Sequence, residues 1–341
     1  MSKQLGNSPD PIDLIDNYGA DGVRMGMMLS APAGNDIMFD EKLCEQGRNF
    51  CNKIWNAFRL VKGWEVDDKA AQPETSAIAV KWFESQLDIA LTETKDLFEK
   101  FRINEALLVV YRLFWDEFSS WYLEMVKPAY GTPIDGKTYE ATINFFDSLL
   151  RMLHPFMPFI TEELWQHIAD RKDGESIMYA SMPESTEANK AIISDMDYAK
   201  EIITGIRAVR AAKNISPKEQ LKLEVVNAPV PSMEAVIKKL GNISEIAAVT
   251  TKDPAAASFM VGTTEFEIPL LDNIDVEGEI ARITKDLEYQ EGFLASVMKK
   301  LSNERFVNNA PAQVVEGERR KQADAEAKIK ALKESLEALQ K

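Results

Sequence analysis

Apolar residues recur along most of this chain at alternating steps of three and four, the period of a helix that buries one face. Pro9-Asp10-Pro11 opens a short helix over Ile12–Tyr18, closed by Gly19, and Asp21–Leu29 forms another. Leu43, Gly47, Phe50, Ile54, Ala57 and Val61 then make the first long stripe, ending near Gly63-Trp64. After a polar loop, Glu65–Thr75, the positions Ile78, Trp82, Leu87, Leu91 and Phe98 mark a second long helix to about Lys100. Leu107, Tyr111, Phe114, Phe118, Tyr122 and Met125 give a third its buried face, with Asn104 as N-cap and Pro128 and Gly131 as the stop. A fourth begins after Gly136, runs through Ile143, Phe146, Leu149 and Leu153, and is expected to kink at Pro155 and Pro158 before Ile160–Ile168. Long amphipathic helices with short connections predict an antiparallel bundle over 35–185.

Over 186–272 the period changes. A helix is expected from about Ser194 to Lys213, after a loop at Asp173–Asn189. Leu221–Val225 alternates as a strand, Met233–Leu240 reads as a short helix, and Ile246–Thr251 is apolar and β-branched. Phe259–Val261 and Phe266–Pro269 flank Gly262-Thr263-Thr264 as a hairpin. This is a small α+β module. Over 273–341 a heptad takes over: Ile280, Ile283, Leu287, Gln290, Leu294, Val297 and Leu301, then Val315, Glu318, Gln322, Ala325, Ile329, Leu332, Leu336 and Leu339. A turn at Phe306–Pro311 makes the two arms an antiparallel coiled-coil hairpin, the first arm running about 39 Å at ~1.5 Å per residue. The fold class is mainly α.

Composition narrows the function. The chain has 341 residues, 45% of them hydrophobic, with no apolar run long enough to span a membrane and no signal-peptide pattern at its start. Two cysteines and two histidines, without a CxxC pair, give neither a metal cluster nor a disulfide framework, which suits a cytoplasmic setting. Forty basic against fifty-five acidic residues leave a net charge of −15. That excludes indiscriminate coating of nucleic acid, DNA included, but leaves room for a shaped RNA met by local patches. One such patch lies at 201–240, where seven cations face four acids.

The face opposite the first long stripe carries Arg48, Asn52, Asn56 and Arg59, with Asn49 and Lys53 beside them, and no carboxylate between Gln46 and Lys62. Asn pairs an adenine edge, and Arg a guanine edge or a phosphate. The competing account is a helix whose asparagines are tied to its neighbours. Arg207, Arg210 and Lys213 step by three and form a candidate phosphate contact, against a plain solvated helix end. Arg319, Arg320 and Lys321 are a further candidate RNA patch, against ordinary solubilising charge. His154 reads as a satisfied core residue, and Trp115, Trp121, Trp165, Phe145 and Phe156 as core aromatics. A wholly different reading is a helical scaffold with a coiled-coil arm that docks proteins.

Several stretches resemble one family. Met1-Ser2-Lys3-Gln4-Leu5-Gly6-Asn7 is similar to the end of the K-M-S-K-S signature of class I aminoacyl-tRNA synthetases, followed by Tyr18-Gly19-Ala20-Asp21 and Arg24. Gly34–Phe39, Gly47-Arg48-Asn49-Phe50, Trp115–Phe118, Trp121–Glu124 and His154–Trp165 continue the likeness. Ile206–Arg210 with Asn214–Pro217, and Phe306–Val315, point within that class to the valyl-tRNA synthetases.

The resemblance implies roles. Met1, Ser2 and Lys3 would belong to the ATP-binding loop, with the Lys3 ammonium stabilising the triphosphate. Residues 1–34 would close the catalytic core, the bundle would bind the anticodon through Lys42, Arg48, Asn49, Asn52 and Arg59, and 273–341 would be a tRNA-binding arm. ATP with Mg2+ and valine would serve the full-length enzyme, and a monomer would meet tRNA-Val. No H-I-G-H element, nucleotide-binding sheet or editing domain occurs in these 341 residues, so they are expected to bind tRNA without activating valine. Leu60 stands where members of the family often carry an aromatic, and Gln4 where the signature ends in serine.

Overall fold

The computed structural model describes residues 9–31, 39–253, 256–269, 276–303 and 312–339. The signature stretch with Met1, Ser2 and Lys3, most of Gly34–Phe39 and the turn expected at 306–311 lie outside them. The described residues fall into two units, one running to Lys252 and including Ser258–Ile268, the other beginning in earnest at Pro269.

In the first unit Asp10 accepts from Ile12 N and, with Pro11 at the first position, starts α1 (Pro11–Tyr18). Gly19, at φ 73°, turns the chain into α2 (Ala20–Leu29). The long stripe becomes α3 (Glu41–Lys62), capped by the Asp40 carboxylate. Its Cys44, Gly47, Phe50, Ile54, Ala57 and Val61 are buried, while Leu43 is only half-buried. Phe50 packs edge-on against Tyr111 at 4.8 Å and Phe114 at 5.6 Å. Each such fully buried side chain contributes roughly 1.5–3 kcal/mol.

A two-residue ladder, β1 (Val66–Asp67) parallel to β2 (Ile134–Asp135), ties the loops flanking α4 (Glu74–Glu99) and the helical run after it. That run is α5 (Ile103–Arg112), a π-helical segment (Leu113–Tyr122) and α6 (Leu123–Val126). Asn104 is not its cap. Phe101 takes φ 57° and lets Arg102 N reach Leu97 O at 2.9 Å, so the next helix restarts at once and Asn104 falls inside it.

The fourth stripe does not kink but breaks, into α7 (Gly136–Leu153) and α8 (Pro158–Ile168). Helix α2 clasps the break. Arg24 donates to the carbonyls of Pro155 at 3.2 Å and Phe156 at 3.1 Å, and Asp21 accepts from Phe159 N and Ile160 N at 3.3 and 2.7 Å. Two prolines remove donors there, and a neighbouring helix satisfies the groups left over. His154, at the end of α7, is half-buried and bonded to the Thr161 hydroxyl at 2.8 Å. Of the five expected core aromatics, Trp165, Phe145 and Phe156 are buried. Trp115 and Trp121 are only half-buried and lie under cations instead.

Helix α9 (Lys190–Ala212) starts about one turn earlier than its apolar pattern suggests, because Asn189 accepts from Ala191 N and Ile192 N. It packs on α10 (Glu234–Gly241), the crossover between the parallel strands β3 (Leu221–Val226) and β4 (Ile243–Val249). The expected hairpin is β5 (Ala257–Val261) and β6 (Thr264–Ile268), and the sheet order is β4-β3-β6-β5 with β3 antiparallel to β6. Lys239 of α10 donates to Met125 O and Lys127 O, so this module caps the last turn of the bundle's third helical run.

In the second unit α11 (Val276–Leu301) and α12 (Ala312–Leu339) pair antiparallel, as the Lys300–Glu318 and Glu291–Lys333 ion pairs at 3.7 and 2.9 Å require. Among the heptad positions whose side chains are described, Val297, Val315, Glu318, Ala325 and Ile329 are buried.

Candidate nucleic-acid interface

With its apolar stripe on the core, α3 necessarily turns Arg48, Asn49, Asn52, Asn56 and Arg59 outward, and all five are exposed. Among the described residues none offers a hydrogen bond to the amides of Asn49, Asn52 or Asn56. The asparagines are therefore not ties to neighbouring helices. Arg48 lays one nitrogen 3.3 Å from Asn17 O and keeps its remaining donors free to act.

Asn52 stands between two clefts. One, about 450 Å³, is lined by Asn49, Asn52, Lys53 and Asn56 from α3 and by Ser119, Leu123 and Glu124 across from them. The other, about 420 Å³, joins Arg48, Cys51 and Asn52 to the α1–α2 turn and to Phe159 and Ile160. Lys42 and Arg59 are exposed on the same helix but line neither. Lys53 sits 4.5 Å over the Trp115 ring, which places its charge at the edge of the first cleft.

Sequence reasoning missed three members of this surface. Trp55, 40% exposed, breaks no stripe and carries no signal of its own. Glu124 and Phe159 arrive from elements 60 or more positions away. Glu124 puts a carboxylate into a cleft whose α3 wall has none, a group that repels phosphate and accepts from a base amino group.

The outlying cations fare differently. Arg207 is exposed, 5.4 Å over the Trp121 ring. Arg210 is not a surface cation: it is buried, donating to Ser216 O, Glu219 O, Gly241 O and Asn242 O at 2.8–3.2 Å. The expected trio of cations is thus reduced to Arg207 and Lys213. A step of three brings Arg210 round to the face that the α+β module covers. In the second unit Arg319, Arg320 and Lys321 are exposed, with Arg320 3.7 Å from Glu316 and Lys321 2.9 Å from Glu318.

Burial pushes the Cys51 thiol up to about 12, with the charge of Asp21 adding to it. At pH 8 its alkylation is expected to run about a thousandfold slower than that of an ordinary thiol, rising tenfold per pH unit towards 12. A rate that levels off near pH 9 would contradict this.

No helix among the described residues is long and apolar enough to cross a membrane, and no group of acidic, histidine and cysteine side chains among them is placed to hold a metal.

Residues 80–226 match the family described as the anticodon-binding domain of tRNA ligase, and residues 275–340 the valyl tRNA synthetase tRNA binding arm. The whole chain is 64% identical to valine–tRNA ligase of Phocaeicola vulgatus, 61% to that of Parabacteroides distasonis and 59% to that of Bacteroides thetaiotaomicron. Each alignment covers 100% of this chain and 39% of the relative, so the chain spans about two fifths of their length. A solved ternary complex of Agrobacterium radiobacter LeuRS overlaps 57% of the chain and 22% of its own at 18% identity and a TM-score of 0.39, too distant to guide placement. With two family matches that together take in most of the chain and a likeness unbroken along it, this chain belongs to the valine–tRNA ligase family.

Proposed function

We propose that this chain is the C-terminal, tRNA-binding portion of a valine–tRNA ligase, the ATP-dependent enzyme that activates valine and joins it to tRNA-Val. The observation that carries the proposal is the exposed row of amides and guanidinium groups on α3, in which Asn49, Asn52 and Asn56 have no partner among the described residues and Asn52 stands between two clefts of nucleotide size. In this reading 35–185 is the anticodon-binding bundle, 186–272 the module that braces it, and 273–341 a coiled-coil arm offering Arg319, Arg320 and Lys321. Arg48, Asn49 and Asn52 meet the anticodon, Lys42 and Arg59 flank it on the helix, and Arg207 adds a phosphate contact. Residues 1–34 end the catalytic core, where Met1, Ser2 and Lys3 would face ATP with Mg2+ in the whole enzyme. The protein works as a monomer in the cytoplasm.

Filter binding of tRNA with a valine anticodon, and of the same tRNA with the anticodon changed, tests the reading. Preference for the first is expected, while valine-dependent pyrophosphate exchange by the 341 residues alone is not. Arg48→Ala and Asn52→Ala are each expected to weaken binding by about 1–3 kcal/mol at unchanged melting temperature. Equal affinity for the two tRNAs would remove the anticodon assignment, and unaltered binding by both variants would move the contact surface elsewhere.

A further inference from the structure

We propose that Phe159 is a stacking platform for an unpaired nucleobase of the bound RNA, working with Asn52 and Arg48 in the cleft they share. The proposal rests on the RNA-binding reading above and adds to it a residue that lies on another helix and carries no polar group.

Phe159 is 63% exposed, and no described aromatic ring packs against it. A single exposed apolar side chain is ordinary on a protein surface and would mean little alone. Three features set this one apart. First, its backbone is fixed: Pro158 begins α8, and Asp21 accepts from the N–H groups of Phe159 and Ile160. A ring on a clamped first turn loses little freedom when something stacks on it. Second, it lines the cleft of about 420 Å³ that also holds Arg48 and Asn52. Third, the Asn52 amide in that cleft has no protein partner among the described residues.

An unpaired base needs an apolar surface for its π face, a donor and acceptor pair for its edge, and a cation for its phosphate. Phe159, Asn52 and Arg48 supply these in turn.

The test uses the unaltered chain and its Phe159→Ala, Phe159→Leu and Phe159→Trp variants, with tRNA carrying 2-aminopurine at each unpaired anticodon-loop position in turn. Phe159→Ala and Phe159→Leu are expected to lose about tenfold or more in affinity, and Phe159→Trp to stay near the unaltered chain. One 2-aminopurine position should be quenched by the unaltered chain and not by Phe159→Ala. Full retention of affinity by Phe159→Leu would show that only apolar bulk matters and would overturn the proposal. So would unaltered binding by Phe159→Ala, which fits a ring that meets another protein segment, or an affinity loss matched by a lower melting temperature in both weakened variants. Failure of the unaltered chain to bind tRNA would remove the RNA reading itself. Normal binding that ignores Phe159 would remove this inference alone.

Discussion

Replacing Arg210 by methionine is expected to destabilise the first unit by about 3 kcal/mol or more, while leaving tRNA affinity unchanged where the protein is still folded. The guanidinium serves four carbonyls, those of Ser216, Glu219, Gly241 and Asn242, which end α10 and carry the chain from α9 into β3. Methionine fills the space and donates nothing, so several part-buried acceptors are left wanting at about 1–3 kcal/mol each, less whatever water recovers. Lysine at this position should fall between the two, since one ammonium cannot reproduce the planar fork. Urea unfolding followed by tryptophan fluorescence measures the loss, and filter binding at low urea the affinity. A variant as stable as the parent but weaker towards tRNA would return Arg210 to the role its spacing suggests.

The second large effect is expected at Gly47. Helices α2 and α3 touch through their backbones there: a Cβ on Gly47 would lie 2.5 Å from Gly22 O, and one on Gly26 2.6 Å from Cys44 N. Both opposing groups are main chain and cannot swing away. Gly47→Ala must therefore push the helices apart, with a cost of about 2–3 kcal/mol despite the higher helix propensity of alanine. The melting temperature should fall by roughly 5–10 °C. Because α3 carries Arg48 and Asn52 against the α1–α2 turn, tRNA binding should weaken as well. Gly292→Ala, on a helix where the added Cβ meets nothing within 4 Å, is the control and should stabilise by about 0.5–1 kcal/mol. Equal behaviour of the two variants would show that the α2–α3 approach is not tight.

Much of this architecture is legible in the apolar pattern because burial is what holds it. Phe50, Ile54 and Val61 lie on the core because they share the one continuous apolar stripe of α3. Val297, Val315, Ala325 and Ile329 fall on the seam that their heptad spacing marks. The boundaries were harder to read. The restart after Phe101 depends on a left-handed residue that is not glycine, and the α7–α8 break is stabilised from α2, more than 130 positions away. Asn189 was a readable cap hidden in a polar stretch. The exposed row on α3 followed from periodicity alone, since a helix that buries one side must present the other.

By itself, then, the amino-acid order determined which residues each helix buries, which it shows to solvent, and the family likeness carried by its short motifs. These depend on spacing within a single element. Only the packing of distant elements decided that Arg210 is enclosed while Arg207 is exposed over Trp121, that Glu124 and Phe159 complete the clefts beside Asn52, and that Asp21 and Arg24 hold the start of α8. Such groups meet across tens of residues, and no local period encodes which carbonyl, ring or carboxylate a side chain will find opposite it.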